Sequence, residues 1–177
     1  MTDWHPTPRD LTRQSLFATL TNEECERMLK LVLAVECSEG DTILQQDDTS
    51  QNLWIVVQGK FTVVRRPRPG RADGPVVLAN IEAGDTFGEM SFYHPAPHSA
   101  SVIAATPGRL LRLARADYDL LVEEGDRAAY KLARNTILSL ADRLRRMDDW
   151  VVELLHDSEH TPDVNQLRDA LSGDWVL

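Results

Sequence analysis

Six short β-prone runs, separated by turn signals, occupy the middle of this 177-residue chain and constrain its fold more than any other feature. The runs lie at 42–44, 53–57, 61–64, 76–78, 101–103 and 110–113. Turn residues rich in glycine and proline lie at 58–60, 69–74, 83–85 and 106–108. Several short strands at this spacing are typical of a β-sandwich or barrel. Because no helical pattern alternates with the runs, a parallel α/β sheet is excluded.

Helical patterns flank this β region on both sides. Apolar residues recur at helical intervals over 10–35, and Thr21 is placed to cap a helix there. The helical pattern returns near Asp117, and Gly125 interrupts it. We therefore predict four segments along the chain. They are an N-terminal helical segment at 1–36, a β domain at 37–116, C-terminal helices at 117–156 and an acidic tail at 157–177.

The helix after Gly125 carries a heptad repeat of apolar residues, spaced alternately three and four positions apart from Tyr130 onward. So narrow and regular a seam favours a parallel helix pair across a homodimer axis. An amphipathic helix lying on its own β domain is the alternative interpretation. The predicted dimer seam consists of Ile137, Leu140, Leu144, Met147, Val151 and Leu154.

The charge distribution argues against a nucleic-acid partner. The chain has 19 Lys and Arg against 28 Asp and Glu, which gives a formal charge of −9. Eight acidic residues and one arginine lie from Asp148 to the end, so this part carries −7 and residues 1–147 carry −2. Proteins that bind DNA usually present a basic face. We therefore expect no contact with nucleic acid.

Other residue types narrow the class of protein further. Two cysteines, Cys25 and Cys37, cannot build a disulfide framework or a four-thiolate metal site. No apolar run approaches the roughly 18 residues of a membrane helix, and the N-terminus lacks a secretory signal. His94 and His98 are the only close histidine pair near the β region, and no nucleophile–base spacing is visible. We expect a cytoplasmic protein without enzymatic activity, a metal or a membrane partner.

The sequence from Gly84 to Ser91 reads Gly-Asp-Thr-Phe-Gly-Glu-Met-Ser, and Pro-His-Ser-Ala-Ser follows at 97–101. Here a glycine permits a tight turn, a carboxylate follows it, and a short helical turn opens with free N–H groups. Such a turn suits a phosphate, because unpaired backbone donors point outward together. The adjacent carboxylate suits a sugar hydroxyl instead.

These motifs resemble those of cyclic nucleotide-binding domains of the bacterial catabolite activator and protein-kinase regulatory-subunit type. Residues 39–43 resemble the first strand turn of that family, and 53–63 resemble its "L-Y-I-I-x-x-G-x-x-x-V" segment. The segment from Gly84 matches the opening of the phosphate-binding cassette, "G-D-x-F-G-E-L", and runs without a gap to "P-R-[SA]-A-[ST]" at 97–101. The resemblance implies a mainly β jelly roll, a double-stranded β-helix with flanking helices, its cassette at 84–101. A long C-terminal dimerisation helix follows.

The resemblance also implies roles for individual residues. Glu89 would accept the ribose 2′-hydroxyl, and the backbone at 88–91, Ser99 and the Ala100 amide would donate to the cyclic phosphate. The long helix would close over the base and bring Arg143 near it. The ligand would be cyclic AMP or cyclic GMP, with no cofactor. The implied ligand-binding residues are Phe87, Gly88, Glu89, Met90, Ser91, His98, Ser99, Ala100, Ser101 and Arg143.

Two residues depart from the family pattern. His98 stands where the family has the arginine that pairs with the phosphate. A histidine offers fewer donors than arginine and is largely neutral at pH 7, so nucleotide affinity is expected to fall. Asp47 stands where a glycine is usual, which questions the geometry of the turn near the mouth of the β-roll.

Two functions follow from this pattern. The first is a stand-alone regulatory protein that binds cyclic AMP or a related cyclic nucleotide with weakened affinity. The second is a degenerate domain that no longer binds nucleotide and acts as a dimeric protein–protein interaction module. Its pocket would then be empty or filled by the C-terminal residues 172–177. In both cases the downstream partner is an unidentified protein. Only about twenty residues follow the heptads, too few for the roughly 60–70 of a helix-turn-helix domain.

Overall fold

The structure is a computed structural model that describes residues 4–67 and 74–157. It divides into two compact units, one ending at Thr136 and one starting at Ile137. Apart from Asp157, the predicted acidic tail lies outside the described residues, and so does its 172–177 segment. Among the helices of the described ranges, none is both long enough and apolar enough to span a membrane.

Eight strands and five α-helices make up the described parts of the chain. The strands β1–β8 are Val32–Cys37, Thr42–Leu44, Asn52–Gln58, Lys60–Arg65, Val76–Glu82, Thr86–Phe87, Ser101–Ala104 and Gly108–Ala114. The helices α1–α5 are Pro8–Thr12, Asn22–Leu29, Glu89–Tyr93, Arg115–Glu123 and Arg127–Asp157, with a 3₁₀ turn at Ser15–Phe17. All six predicted β-prone runs lie in strands, and Gly125, with a φ of 66°, separates α4 from α5.

The strands form two antiparallel four-stranded sheets, ordered β1-β8-β3-β6 and β2-β7-β4-β5. Strands distant in sequence pair across each sheet: β1 pairs with β8 from Val32↔Leu113 to Cys37↔Gly108. The predicted mainly β jelly roll with flanking helices and a long C-terminal helix is confirmed.

Apolar side chains fill two clusters, one on each face of the β1-β8-β3-β6 sheet. Strand β3 shows the division, because successive side chains of a strand point to opposite faces. Leu53 and Ile55 pack among the helices. Trp54 and Val56 pack between the two sheets. Strand β3 is therefore buried on both faces. Because β6 pairs with this strand, the cassette residues that follow β6 in the sequence start from a fixed place.

The N-terminal helical segment ends earlier than the sequence pattern predicts. Thr21 caps α2 as predicted: its Oγ1 accepts from the Glu24 N–H (3.3 Å), and its own N–H donates to the Glu24 carboxylate (2.7 Å). However, α2 ends at Leu29, and β1 begins at Val32, within the predicted 1–36 segment. The apolar residues of β1 satisfy a helical spacing locally, but all six residues of the strand pair with β8, and that long-range pairing decides their conformation.

The second unit begins within α5 and contains all six positions of the predicted dimer seam. Ile137, Leu144 and Met147 are 65%, 56% and 59% exposed, which is high for large apolar side chains. Leu140 and Val151 are half-buried. The side chain of Leu154 lies outside the described residues, so its place in the seam stays a prediction.

Candidate functional site

The cassette turn is built around Gly88, which precedes α3. Its φ of 82° lies in the left-handed region that favours glycine. A Cβ built on Gly88 would lie 2.5 Å from the carbonyl oxygen of Asn52, at the start of β3. The backbone of the cassette thus approaches the backbone of β3 so closely that only glycine fits between them.

The residues on either side of Gly88 fix where α3 begins. Phe87 is buried and stacks on Trp54 with ring centroids 6.0 Å apart. Glu89 follows directly and is only 5% exposed, while Ser91 is also buried. Met90 lies between them and is exposed. A carboxylate is therefore enclosed at the first position of the cassette helix.

The second half of the cassette presents one exposed hydroxyl. Ser99 is exposed, whereas Ala100 and Ser101 on either side of the β7 start are buried. Ser101 Oγ accepts a hydrogen bond from the Gln46 N–H at 2.9 Å. Ser99 thus carries the exposed hydroxyl of this half, and the Ser101 hydroxyl serves to hold the strand in place.

His98 is buried and hydrogen bonded to the loop between β2 and β3. Its ring is joined at Nε2 to Ser50 Oγ at 2.9 Å, and the residue is only 4% exposed. Burial lowers the pKa of His98 from its ordinary value, and the negative charge of Asp48 and a hydrogen bond with the Ser50 backbone oppose that shift. The imidazole is therefore mainly neutral at pH 7 and does not replace the permanent charge of an arginine.

The β2–β3 loop holds the cassette at both ends, a role that the sequence patterns did not reveal. Gln51 donates from Nε2 to the Ser91 carbonyl oxygen in α3 (3.2 Å). The Asp47 N–H donates to the His98 carbonyl oxygen (2.9 Å), and the His98 N–H donates to that of Asp48 (2.8 Å). These bonds join residues at least 40 positions apart in sequence, so no local pattern predicts them.

Asp47 adopts the backbone conformation for which the family uses glycine. Its φ is 73°, the only positive φ of a non-glycine residue in the described ranges. Asp and Asn tolerate this region better than most other residues. The turn therefore survives the substitution. Its carboxylate lies 4.0 Å from the Arg66 guanidinium and is well exposed, so this pair contributes little to stability.

Comparison with known proteins identifies the family to which this fold and cassette belong. The profile of the cyclic nucleotide-binding domain matches residues 34–125, slightly more than half of the chain. The chain belongs to the cyclic nucleotide-binding domain family.

Two curated relatives and one solved structure illustrate the similarity. The chain is similar to the cyclic AMP receptor protein of Thermus thermophilus, at 34% identity over 75% of this chain and 58% of that protein. It is also similar to the cAMP-dependent protein kinase regulatory subunit of Yarrowia lipolytica, at 26% identity over 66% of this chain and 29% of that protein. A cyclic nucleotide-binding domain from Methylobacillus flagellatus shares the fold, with a TM-score of 0.72 at 22% identity over 82% of this chain and 80% of that one. The chain spans less than two thirds of the length of both curated relatives.

The chain is thus a cyclic nucleotide-binding regulatory domain homologous to cyclic AMP receptor proteins and protein-kinase regulatory subunits. The predicted cassette positions from Phe87 to Ser101 all lie within the described residues, and their roles in ligand binding stay predictions. Arg143 lies in the second unit, and its approach to a ligand stays a prediction. Within 4–67 and 74–157, no group of three His, Cys, Asp or Glu residues is placed to hold a metal ion.

Proposed function

We propose that this cyclic nucleotide-binding domain binds cyclic AMP or a related cyclic nucleotide at residues 84–101 and regulates a partner protein. The observation that carries the proposal is the buried carboxylate of Glu89. It directly follows Gly88, a position at which only glycine fits. An ionised carboxylate can accept several hydrogen bonds, and a ribose hydroxyl is a suitable donor to it. The exposed hydroxyl of Ser99 and nearby backbone N–H groups supply donors for the phosphate.

The affinity of this site is expected to be lower than that of a cassette with arginine. The segment 84–101 contains no lysine or arginine, and His98 is bonded to Ser50. A charge-assisted hydrogen bond contributes roughly 1.5–3 kcal/mol, so its loss weakens binding about 10- to 100-fold. We expect cyclic AMP to bind the wild-type protein more tightly at pH 6 than at pH 8, because protonated His98 attracts the anion.

Replacing Glu89 with glutamine tests the predicted contact with the ribose. Glutamine keeps the shape of the side chain but removes its charge, so we expect cyclic AMP to bind about 10-fold more weakly or worse. Isothermal titration calorimetry at pH 6 measures this loss. The matched control is 2′-deoxy cyclic AMP, whose binding should be weak to both proteins and little affected by the substitution.

An equal loss for both ligands would contradict the ribose contact and would indicate that Glu89 only shapes the turn. If the wild-type protein gives no heat with cyclic AMP or cyclic GMP at either pH, the same titrations are done with the His98→Arg variant. If that variant is silent as well, nucleotide binding is excluded. The domain would then be the interaction module, an alternative that the absence of Lys and Arg from the cassette favours.

We also propose that two copies associate through the seam of α5. The exposed side chains of Ile137, Leu144 and Met147 follow the predicted heptad spacing, and a second helix would bury them. The function would then be exerted by a homodimer, in which nucleotide binding changes the helical surface offered to a partner protein.

Replacing Leu144 with glutamate should weaken the dimer at least about 30-fold, because a charge replaces a leucine that association buries. Sedimentation equilibrium measures the dissociation constant. Leu138 provides a matched control, since it is 49% exposed on the same helix but lies off the heptad seam. Leu138→Glu should leave the constant nearly unchanged. Equal effects of the two substitutions, or a wild-type monomer, would contradict the predicted seam.

A further inference from the structure

The β2–β3 loop holds His98 by its backbone and by its side chain at once. Its backbone pairs with Asp47 and Asp48 through two hydrogen bonds, which fix the position of its Cα. Its ring is then joined at Nε2 to Ser50 Oγ, 2.9 Å away. Nε2 is the ring nitrogen farthest from the backbone, so this bond occupies the tip of the side chain.

This arrangement removes the best donor of His98 from the cassette. An imidazole has two nitrogens, and only a protonated ring donates from both. While Nε2 is bonded to Ser50, that nitrogen has no capacity left for a phosphate oxygen. The enclosure of the ring favours its neutral form as well, since burial lowers the pKa of His98.

The charged groups around His98 do not supply a substitute cation. Asp47 and Asp48 lie on the β2–β3 loop, and Asp48 is the charge that acts on the ring. Arg66, just after β4, lies 4.0 Å from the Asp47 carboxylate. On the cassette itself the acidic side chains are Asp85 and Glu89. The hydrogen bond to Ser50 therefore determines what His98 can offer to an anion.

We propose that Ser50 is a positioning residue of the nucleotide site: by holding the His98 ring against the β2–β3 loop, it sets how strongly the cassette binds an anionic phosphodiester. This inference rests on the proposed function for its effect on nucleotide binding. Ser50 acts through His98 and is a positioning residue, not a ligand contact.

Replacing Ser50 with alanine tests this role. The change removes the hydroxyl partner of Nε2, while the backbone of residue 50, which also hydrogen bonds to the ring, is retained. A ring held by one bond fewer should turn toward the cassette more readily. We expect cyclic AMP to bind Ser50→Ala about 10-fold more tightly than wild type at pH 6, where the ring is partly protonated. At pH 8 the two affinities should agree within about twofold, because the ring is then neutral.

Two controls isolate the effect. Thr49→Ala removes a hydroxyl from the neighbouring exposed position of the same loop and should bind like wild type at both pH values. In a His98→Gln background, Ser50→Ala should change the affinity by less than about twofold, because the group on which Ser50 acts is absent. A tenfold gain in that background, or no gain in the wild-type background, would overturn the proposal.

An imidazole titration by NMR without nucleotide separates this proposal from the proposed function. If Ser50 holds the ring, the pKa of His98 should rise in Ser50→Ala toward its ordinary value and stay unchanged in Thr49→Ala. Unchanged ring signals in Ser50→Ala would refute the role of Ser50 even if nucleotide binds. If no variant binds nucleotide, His98→Arg included, the proposed function fails, and the titration alone still decides whether Ser50 controls His98.

Discussion

Cyclic AMP should bind the His98→Arg variant about 10- to 100-fold more tightly than it binds the wild-type protein at pH 8. Arginine carries a permanent charge and a planar fork of donors that matches two phosphate oxygens. Histidine at this position is buried, bonded to Ser50 and mainly neutral. The gain follows from one or two charge-assisted hydrogen bonds of roughly 1.5–3 kcal/mol each. Calorimetric titration at pH 8 and pH 6 measures it.

The pH dependence distinguishes the contribution of charge from that of shape. The advantage of the arginine variant should be smaller at pH 6, because the wild-type histidine is then partly protonated while arginine stays charged at both pH values. His98→Lys is the matched control, since it adds a charge without the fork and should gain less than arginine. A variant that is folded, by its thermal transition, yet binds no more tightly than wild type would show that the cassette does not place residue 98 against the phosphate.

Local patterns in the sequence were sufficient to predict the elements that surround the site. The β-prone runs, the Thr21 cap and the break at Gly125 all depend on residues within a few positions of one another, and all three are confirmed. The cassette motif is also a local pattern, because its glycine and its buried glutamate are adjacent in the sequence. Local conformational preference acts over this range, so a single sequence reports it.

Contacts between distant residues were not predictable in the same way. The bond between Ser50 and His98 joins residues 48 positions apart, and nothing in the Gln-rich and Asp-rich loop marks Ser50 as a partner. The same limit explains the N-terminal boundary, where β1 takes its conformation from pairing with β8. The sequence revealed that residue 98 departs from the family. It did not reveal that the imidazole is already bonded to a neighbouring loop.

Replacing Gly88 with alanine should destabilise the protein by about 2–4 kcal/mol and abolish nucleotide binding. Two costs combine at this position. A left-handed backbone costs a residue with a Cβ roughly 1–2 kcal/mol. In addition, the new Cβ would lie 2.5 Å from the Asn52 carbonyl oxygen, so the start of α3 or the start of β3 must move. Chemical denaturation measures the free energy of unfolding, and calorimetry measures the binding.

Gly40 separates these two costs, because its φ of 87° is close to that of Gly88 but a Cβ there would meet nothing within 4 Å. Gly40→Ala should therefore lower the free energy of unfolding by the backbone component only, about 1–2 kcal/mol, and the variant should retain nucleotide binding. The difference between the two variants measures how tightly the cassette is pressed against β3. If the two variants lose the same free energy of unfolding, the backbone near Asn52 moves away from the new Cβ at little cost. The position of Glu89, which depends on Gly88, would then not be fixed by the sheet, and the buried carboxylate would lose its value as a ribose acceptor.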